Sequence, residues 1–511
     1  MTQVNNLSDL IKNRDFTILA TSVALITLSV TWLPGLLRRG WYHDGSVNLT
    51  RAVLSAFEPI GISLAGIQAV GVGTFLTLLV LLLFDRKKRV QAVLLCLGVL
   101  GVGLVFILTN FIPRIFVGPL SAHLSSLLVG AGLGVMLGLP RKARRALLNK
   151  NWSFNWEFRR AAHLTSGLVL ISILAMVIEA NVAYPPLVAG QVTLSYIQEL
   201  VAGVAMSSLV LDGFAATIYV AAFWFFVTYD RKKTIFAVGP KNAGKTYFSV
   251  GAYLEESTRT GGTVKAPSSS LVEKTSMVSN RAKIEETPSW SLGSTDPGEP
   301  ETLSFAFIDG QLFPTDLTVQ TLDYAGENLP GLARLLEDSA LSRETLDESK
   351  LPKSVNVEDV VQIYDRCEAS DTLVLLFDAT LLFRDTASDA HTTTGVESGL
   401  GAYAPLIERY SGEKGIVFVV TKADILDEEY AQTHGIDIYD RRNLDAFADD
   451  LYHRLSTHTE LGQYLTDAEA TDVYPVYFRT EKDATGKRVP SRPRDSRPLE
   501  PYGFSRLLEA L

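Results

Sequence analysis

The sequence predicts an α-helical transmembrane domain of about six spans over residues 1–229, then an α/β domain with a mostly parallel central sheet over 230–511. Three observations predict it. Six long apolar runs fill the first part. Charge changes sign at the same boundary. Beyond that boundary, short β-forming runs each end in a glycine-bearing or acidic loop.

The apolar runs lie near 16–37, 60–84, 90–112, 116–139, 161–183 and 204–229. Each approaches the ~20 residues that cross a hydrocarbon core at about 1.5 Å per residue. The first lacks a small-x-small cleavage pattern, so it reads as a span and not as a removed signal. With residue 1 on the inner side, the inner segments 1–15, 85–89, 140–160 and 231–233 carry 16 Lys and Arg. The outer segments 38–59, 113–115 and 184–203 carry 4. That bias places both termini and the α/β domain in the cytoplasm, with the spans in the plasma membrane.

Residues 1–229 hold 17 Lys and Arg against 9 Asp and Glu, a net +8. Residues 230–511 hold 30 against 47, a net −17. So acidic a domain repels phosphate backbones, and no nucleic acid is expected as a partner. The two cysteines, Cys96 and Cys367, form neither a disulfide framework nor a metal-ligand spacing. Within the spans, Asp212 stands nine residues into the last run. It reads either as a helix-packing hydrogen bonder or as part of a transport path, and no chain of acids accompanies it. "DRKK" occurs at 85–88 and again at 230–233, which admits an internal duplication.

In the second part, "TIFAV" (234–238) reads as a strand and "YFSVGAYLEE" as a helix. Between them stands "GPKNAGKT": Gly239, Pro240, Lys241, Asn242, Ala243, Gly244, Lys245 and Thr246, followed by Tyr247. This G-x-x-x-x-G-K-[ST] pattern in strand–loop–helix context cradles phosphates with backbone N–H groups. Lys245 is positioned for the β- and γ-phosphates and Thr246 for Mg²⁺. "LTVQTLDYAGE" (317–327) ends a strand in D-x-x-G: Asp323 for Mg²⁺ through water, Gly326 for the γ-phosphate. "GIVFVVTKADIL" (415–426) ends a strand in T-K-x-D, Thr421, Lys422 and Asp424. Asp424 can accept from the paired donors of guanine, which adenine lacks, while the Lys422 stem lies along the base.

In these motifs and their order the chain resembles the Ras-like P-loop GTPases over about residues 233–511. The nearest likeness is to Arf-like G domains and the beta subunit of the signal-recognition-particle receptor, where a membrane anchor also precedes the GTPase domain. The resemblance implies GTP and Mg²⁺ as cofactors. It makes "DTLVLLFDAT" (371–380) a central strand, "VYPVYF" (473–478) the last strand and "PYGFSRLLEAL" (501–511) the closing helix. "KTSMVSNRAKIE" (274–285) looks like switch I entering the second strand, with Thr275 as its Mg²⁺-binding threonine; Thr263 and Thr287 compete for that role. Glu327 stands where Ras-like proteins often carry glutamine, as a catalytic candidate. The base-contacting loop after the last strand is replaced by "RTEKD" (479–483) and has no assigned contact. Segments 256–301, 340–356 and 384–400 read as insertions or mobile loops, and the basic stretch 481–501 as a solvated loop or as a face for lipid headgroups or an acidic partner.

The expected function is a membrane-embedded GTPase switch that meets a cytoplasmic effector or activating protein at the bilayer. Two other readings stand beside it: a transporter or channel gated by the GTPase domain, and an ATPase using Asp378 as its metal-holding carboxylate.

Overall fold

A computed structural model describes residues 14–42, 64–85, 87–109, 123–139, 158–182, 198, 201–240, 242–259, 264–284, 301–309, 314–323, 328–337, 356–383, 400–484, 486, 488–491 and 499–511. The chain divides into two compact units. One runs to Arg231; the other is built from Lys232–Asp309 and Thr315–Leu511.

The first unit is helical: α1 (Arg14–Thr31), α2 (Leu33–Tyr42), α3 (Leu64–Phe84), α4 (Arg89–Leu108), α5 (Leu124–Gly138), α6 (Arg159–Asn181) and α7 (Met206–Thr228). The first apolar run is broken at Trp32, with Pro34 in the opening turn of α2, where a missing N–H costs nothing. Among the described residues, three helical stretches are long and apolar enough to cross a membrane: Ala20–Arg39, Arg159–Asn181 and Met206–Thr228. The other three helices carry shorter apolar stretches, Ala69–Phe84, Arg89–Val105 and Leu124–Gly138.

Backbone contact joins α3 to α5. A Cβ on Gly130 would lie 2.1 Å from the Val70 carbonyl oxygen, and one on Gly73 2.3 Å from that of Leu127. Only hydrogen fits at either position. Thr74 Oγ1 donates to the Gly130 carbonyl at 3.0 Å across the same seam. Small residues that let helix backbones touch in this way are a device of apolar surroundings.

Asp212, on α7, takes hydrogen bonds from three directions. Arg39 Nη2 and Asn181 Nδ2 each donate at 2.8 Å, and Trp32 Nε1 at 3.3 Å. Its carboxylate thus ties α7 to α6 and to the α1–α2 segment, which is the helix-packing role. The two "DRKK" segments meet. Lys87 of the first pairs with Asp230 of the second at 3.6 Å, and Arg159 reaches Asp230 at 3.2 Å. Lys88 Nζ donates to the Tyr229 carbonyl, and Gln91 Nε2 to that of Phe226 at 2.9 Å. Burial pulls the Lys88 ammonium down to about 8, with Asp230 and Asp85 opposing. Lys87 and Lys88 are therefore buried structural cations.

Among the described residues the second unit carries nine strands: β1 (Lys232–Val238), β2 (Glu301–Asp309), β3 (Thr315–Asp323), β4 (Thr372–Asp378), β5 (Gly415–Thr421), β6 (Val473–Phe478), β7 (Thr480–Lys482), β8 (Arg488–Pro490) and β9 (Pro501–Tyr502). Seven form one sheet in the order β2-β3-β1-β4-β5-β6-β9. β3, β1, β4, β5 and β6 run parallel, while β2 and β9 join antiparallel at the edges. The all-buried run of β4, "TLVLLFD", is what a central strand covered on both faces requires. β1 starts at Lys232, so two cations of the inner segment 231–233 belong to the strand, and Lys233 Nζ donates to the Leu511 carbonyl at 2.6 Å.

Helices cover both faces. Helix α8 (Lys245–Arg259) and the terminal helix Phe504–Ala510 share a core with Phe248, Phe305, Phe307 and Leu507. The opposite core gathers Leu332, Ile363, Tyr403, Phe418 and Phe447.

One expected element differs. Residues 274–284 do not enter the second strand; they lie in helix α9 (Ser269–Ile284), and β2 begins only at Glu301. Leu271, Thr275 and Val278 are its buried positions, spaced four and three apart as one helix face demands. Residues 340–355 and 384–399, read as insertions, lie outside the described residues, as do Thr263 and Thr287.

Candidate functional site

Three of the sequence motifs converge at the carboxyl ends of neighbouring parallel strands. The loop 239–244 follows β1, Asp323 ends β3, and Thr421–Asp424 follow β5. β1 lies between β3 and β4, where strand order reverses, and crevices outside such switch points are where open α/β sheets bind ligands.

The loop after β1 is wound tightly. Asn242 and Gly244 take φ of 65° and 75°, a left-handed conformation that glycine adopts without strain. Lys245 opens α8 and folds back over the loop, its Nζ donating to the carbonyls of Gly239 and Pro240 at 3.0 Å each. Burial pulls this ammonium down to about 8, with the Asp323 charge opposing. Thr246 Oγ1, one residue on, donates to Asp323 Oδ2 at 3.2 Å. Thr246 and Asp323 thus lie side by side. Lys241, Gly326 and Glu327 lie outside the described residues.

Asp323 has a second partner that the sequence did not reveal. Lys274 Nζ, from α9, contacts Asp323 Oδ2 and also Glu301 Oε2 at 2.9 Å. Burial pulls the Lys274 ammonium down, but bonds to Asp323 and Glu301 outweigh it and raise its pKa. Its neighbour Thr275, the expected switch threonine, is buried in α9 and donates its hydroxyl to the Leu271 carbonyl at 2.7 Å. Among the described residues of this segment, the one that reaches Asp323 is Lys274.

The third motif is joined to the first. Thr421 Oγ1 donates to the Ala243 carbonyl at 2.8 Å, sharing its proton with the Phe377 carbonyl at 3.1 Å. Lys422 takes a left-handed φ of 56°, and its Nζ reaches Asp378 Oδ2 at 2.5 Å. Asp378 Oδ1 meanwhile accepts from the Thr380 N–H and hydroxyl at 2.8 and 2.6 Å. Asp424 is buried, and its Oδ2 accepts from Thr480 Oγ1 at 2.8 Å. Burial pushes the Asp424 carboxyl up to about 6, while Thr480, Arg488 and Lys422 pull it down.

Thr480 was missed in the sequence. It stands in "RTEKD", the stretch with no assigned base contact, two residues past the end of β6. A hydroxyl residue just beyond the last parallel strand was the available signal. Arg488 was also missed, because 481–501 read as a solvated loop. Instead β7 and β8 pair there, Lys482 opposite Arg488.

Among the described residues, no group of three or more His, Cys, Asp or Glu side chains gathers for a metal. Thr246 and Asp323 bring together one hydroxyl and one carboxylate, oxygen donors of the kind that suit a hard ion retaining most of its waters. Comparison of the chain with protein-family models finds no match, and comparison with curated proteins finds none either.

Proposed function

We propose that the chain is a membrane-embedded GTPase of the Ras-like P-loop class, with six spans, which binds Mg²⁺–GTP, hydrolyses it with water and acts as a switch at the cytoplasmic face of the plasma membrane. The observation that carries the reading is the Thr421–Ala243 hydrogen bond, which locks the T-K-x-D loop to the phosphate loop. One nucleotide then spans both: phosphates on the 239–246 loop, base at Asp424.

In this reading the N–H groups of the loop and of the first turn of α8 face the phosphate oxygens. Lys245 exchanges two carbonyl partners for phosphate, whose negative charge favours the protonated form of this buried ammonium. Thr246 and Asp323 are the residues that would hold Mg²⁺, and Lys274 already marks that carboxylate as a cation site. Mg²⁺ supplies charge neutralisation for the transferring phosphoryl group. Glu327 is proposed beside the γ-phosphate; an ionised carboxylate there accepts but cannot donate, so turnover is slow until a cytoplasmic activating partner contributes.

The ATPase reading leaves the T-K-x-D motif without a role, and in this structure Asp378 is held by Lys422 and Thr380. The transporter reading gains nothing from Asp212, whose carboxylate is spent on packing. Competition binding tests the proposal: full-length protein in detergent, a fluorescent GTP analogue, and unlabelled GTP or ATP with Mg²⁺. GTP is expected to displace the probe at concentrations at least tenfold below ATP, about 1.4 kcal/mol. Equal displacement would refute guanine recognition.

A further inference from the structure

Thr480 Oγ1 has three polar neighbours and a single proton. Asp424 Oδ2 lies at 2.8 Å, Arg488 Nη1 at 3.2 Å and Tyr439 Oη at 3.1 Å. Arg488 has no lone pair to offer, so Thr480 must accept from it. Tyr439 Oη already accepts from the Thr480 N–H at 3.3 Å, which leaves its own proton to give to Thr480 Oγ1. Both lone pairs of the Thr480 hydroxyl are then filled. Its proton has one direction left, toward Asp424.

Arg488 reaches this position by the fold. β7 and β8 form a hairpin directly after β6, with Thr480 opposite Pro490 and Lys482 opposite Arg488. The hairpin returns a cation from the basic stretch to the buried carboxylate.

We propose that Arg488 is a positioning residue for base recognition: by donating to Thr480 it fixes the direction of the Thr480–Asp424 hydrogen bond and keeps Asp424 an ionised acceptor for a ligand's paired N–H donors. The inference rests on the guanine reading above. Without Arg488 the hydroxyl can turn and accept from a protonated Asp424, and a protonated carboxyl is a poor partner for two donors. Among the described residues, the charged and titratable groups around Asp424 are Lys422 from its own loop, Arg488 from β8, Tyr439 from the connection before Arg441, and Tyr477 from β6. Asp427, at the start of the next helix, also faces Arg488. Arg488 and Lys422 are the two cations among them, and Lys422 is engaged by Asp378.

The test is the pH profile of GTP binding by full-length protein in detergent, between pH 5.5 and 8, using a fluorescent GTP analogue. Wild-type affinity falls as pH drops through about 6, where Asp424 takes its proton. In Arg488→Gln the fall begins about one pH unit higher. At pH 6.5 the variant binds about threefold more weakly than wild type, at pH 5.5 about eightfold, and at pH 8 within about twofold. Arg488→Lys, which still donates and carries charge, restores the wild-type profile.

Melting of the nucleotide-free protein gives an independent readout. The folded state holds the Asp424 proton more tightly than the unfolded chain, so ionised burial costs stability above about pH 6 and the cost fades below it. The deficit of Arg488→Gln relative to wild type therefore narrows as pH falls from 8 to 5. Parallel binding profiles in wild type and Arg488→Gln, or a loss equal at every pH, overturn the role of Arg488 and leave guanine binding standing. No guanine binding by wild type at any pH overturns the reading of the site itself.

Discussion

The hydroxyl of Thr421, at the end of β5, donates to the carbonyl of Ala243 inside the loop that follows β1, 2.8 Å away. Ala243 is fully buried, so its carbonyl has no water to fall back on. Thr421→Val keeps the shape and removes the proton. The expected cost is about 1–3 kcal/mol of stability, the penalty for an orphaned buried acceptor. GTP affinity should fall several-fold, and Thr421→Ser should recover most of both. Chemical denaturation and nucleotide titration on the same preparations check it; wild-type behaviour in Thr421→Val would unlink the two loops.

If Asp323 holds Mg²⁺ as proposed, Lys274 competes with the metal for it. Lys274→Gln removes the competing charge and keeps a side chain of similar reach. Half-maximal GTP binding should then need about three- to tenfold less Mg²⁺, the ~1 kcal/mol scale of a partly exposed ion pair. Lys274→Arg should resemble wild type. A Mg²⁺ titration unchanged in Lys274→Gln would show that the pair does not oppose metal binding.

How much of this was legible depended on how local the signal was. The strands ending at Val238, Asp323 and Thr421 were readable because a β-forming run and its motif are adjacent in sequence. The partners of those motif residues were not. Thr480 and Asp424 are 56 residues apart, and Lys274 and Asp323 are 49 apart. Helix α9 was mistaken for a loop entering a strand because resemblance took precedence over period; Leu271, Thr275 and Val278 carry the helical spacing. Asp212 was noticed, but Arg39, 173 residues earlier, counted only as an outer cation. Buried cations such as Lys87 and Lys88 read like solvated ones, because burial depends on which helices return to cover them.

In the helical unit, Gly130→Ala should force α3 and α5 apart, since its Cβ would meet the Val70 carbonyl. Overpacking of this kind costs about 1–3 kcal/mol. Gly132→Ala, which meets nothing within 4 Å, is the matched control and should be neutral. Thermal aggregation in detergent compares them; equal midpoints would mean the seam relaxes freely.

Single-turnover hydrolysis without a partner tests the proposed part of Glu327. If its carboxylate faces the γ-phosphate, like charges hinder the approach, and Glu327→Gln should hydrolyse GTP as fast or faster. A drop beyond about tenfold, roughly 1.4 kcal/mol in barrier, would instead make the carboxylate a participant in moving the water's proton.

The most direct test of the account is base exchange at Asp424. Asp424→Asn replaces an acceptor pair with one donor and one acceptor, which suits the C2 carbonyl of xanthine and not the amine of guanine. Binding of GTP, xanthosine triphosphate and ATP to wild type and variant should be measured at pH 8, where Asp424 is ionised. The account predicts that the variant loses at least tenfold in GTP affinity, about 1.5–3 kcal/mol for a charged hydrogen bond, and comes to prefer xanthosine triphosphate. A variant that keeps wild-type GTP affinity, or loses all three nucleotides equally while remaining folded, would contradict guanine recognition by this loop.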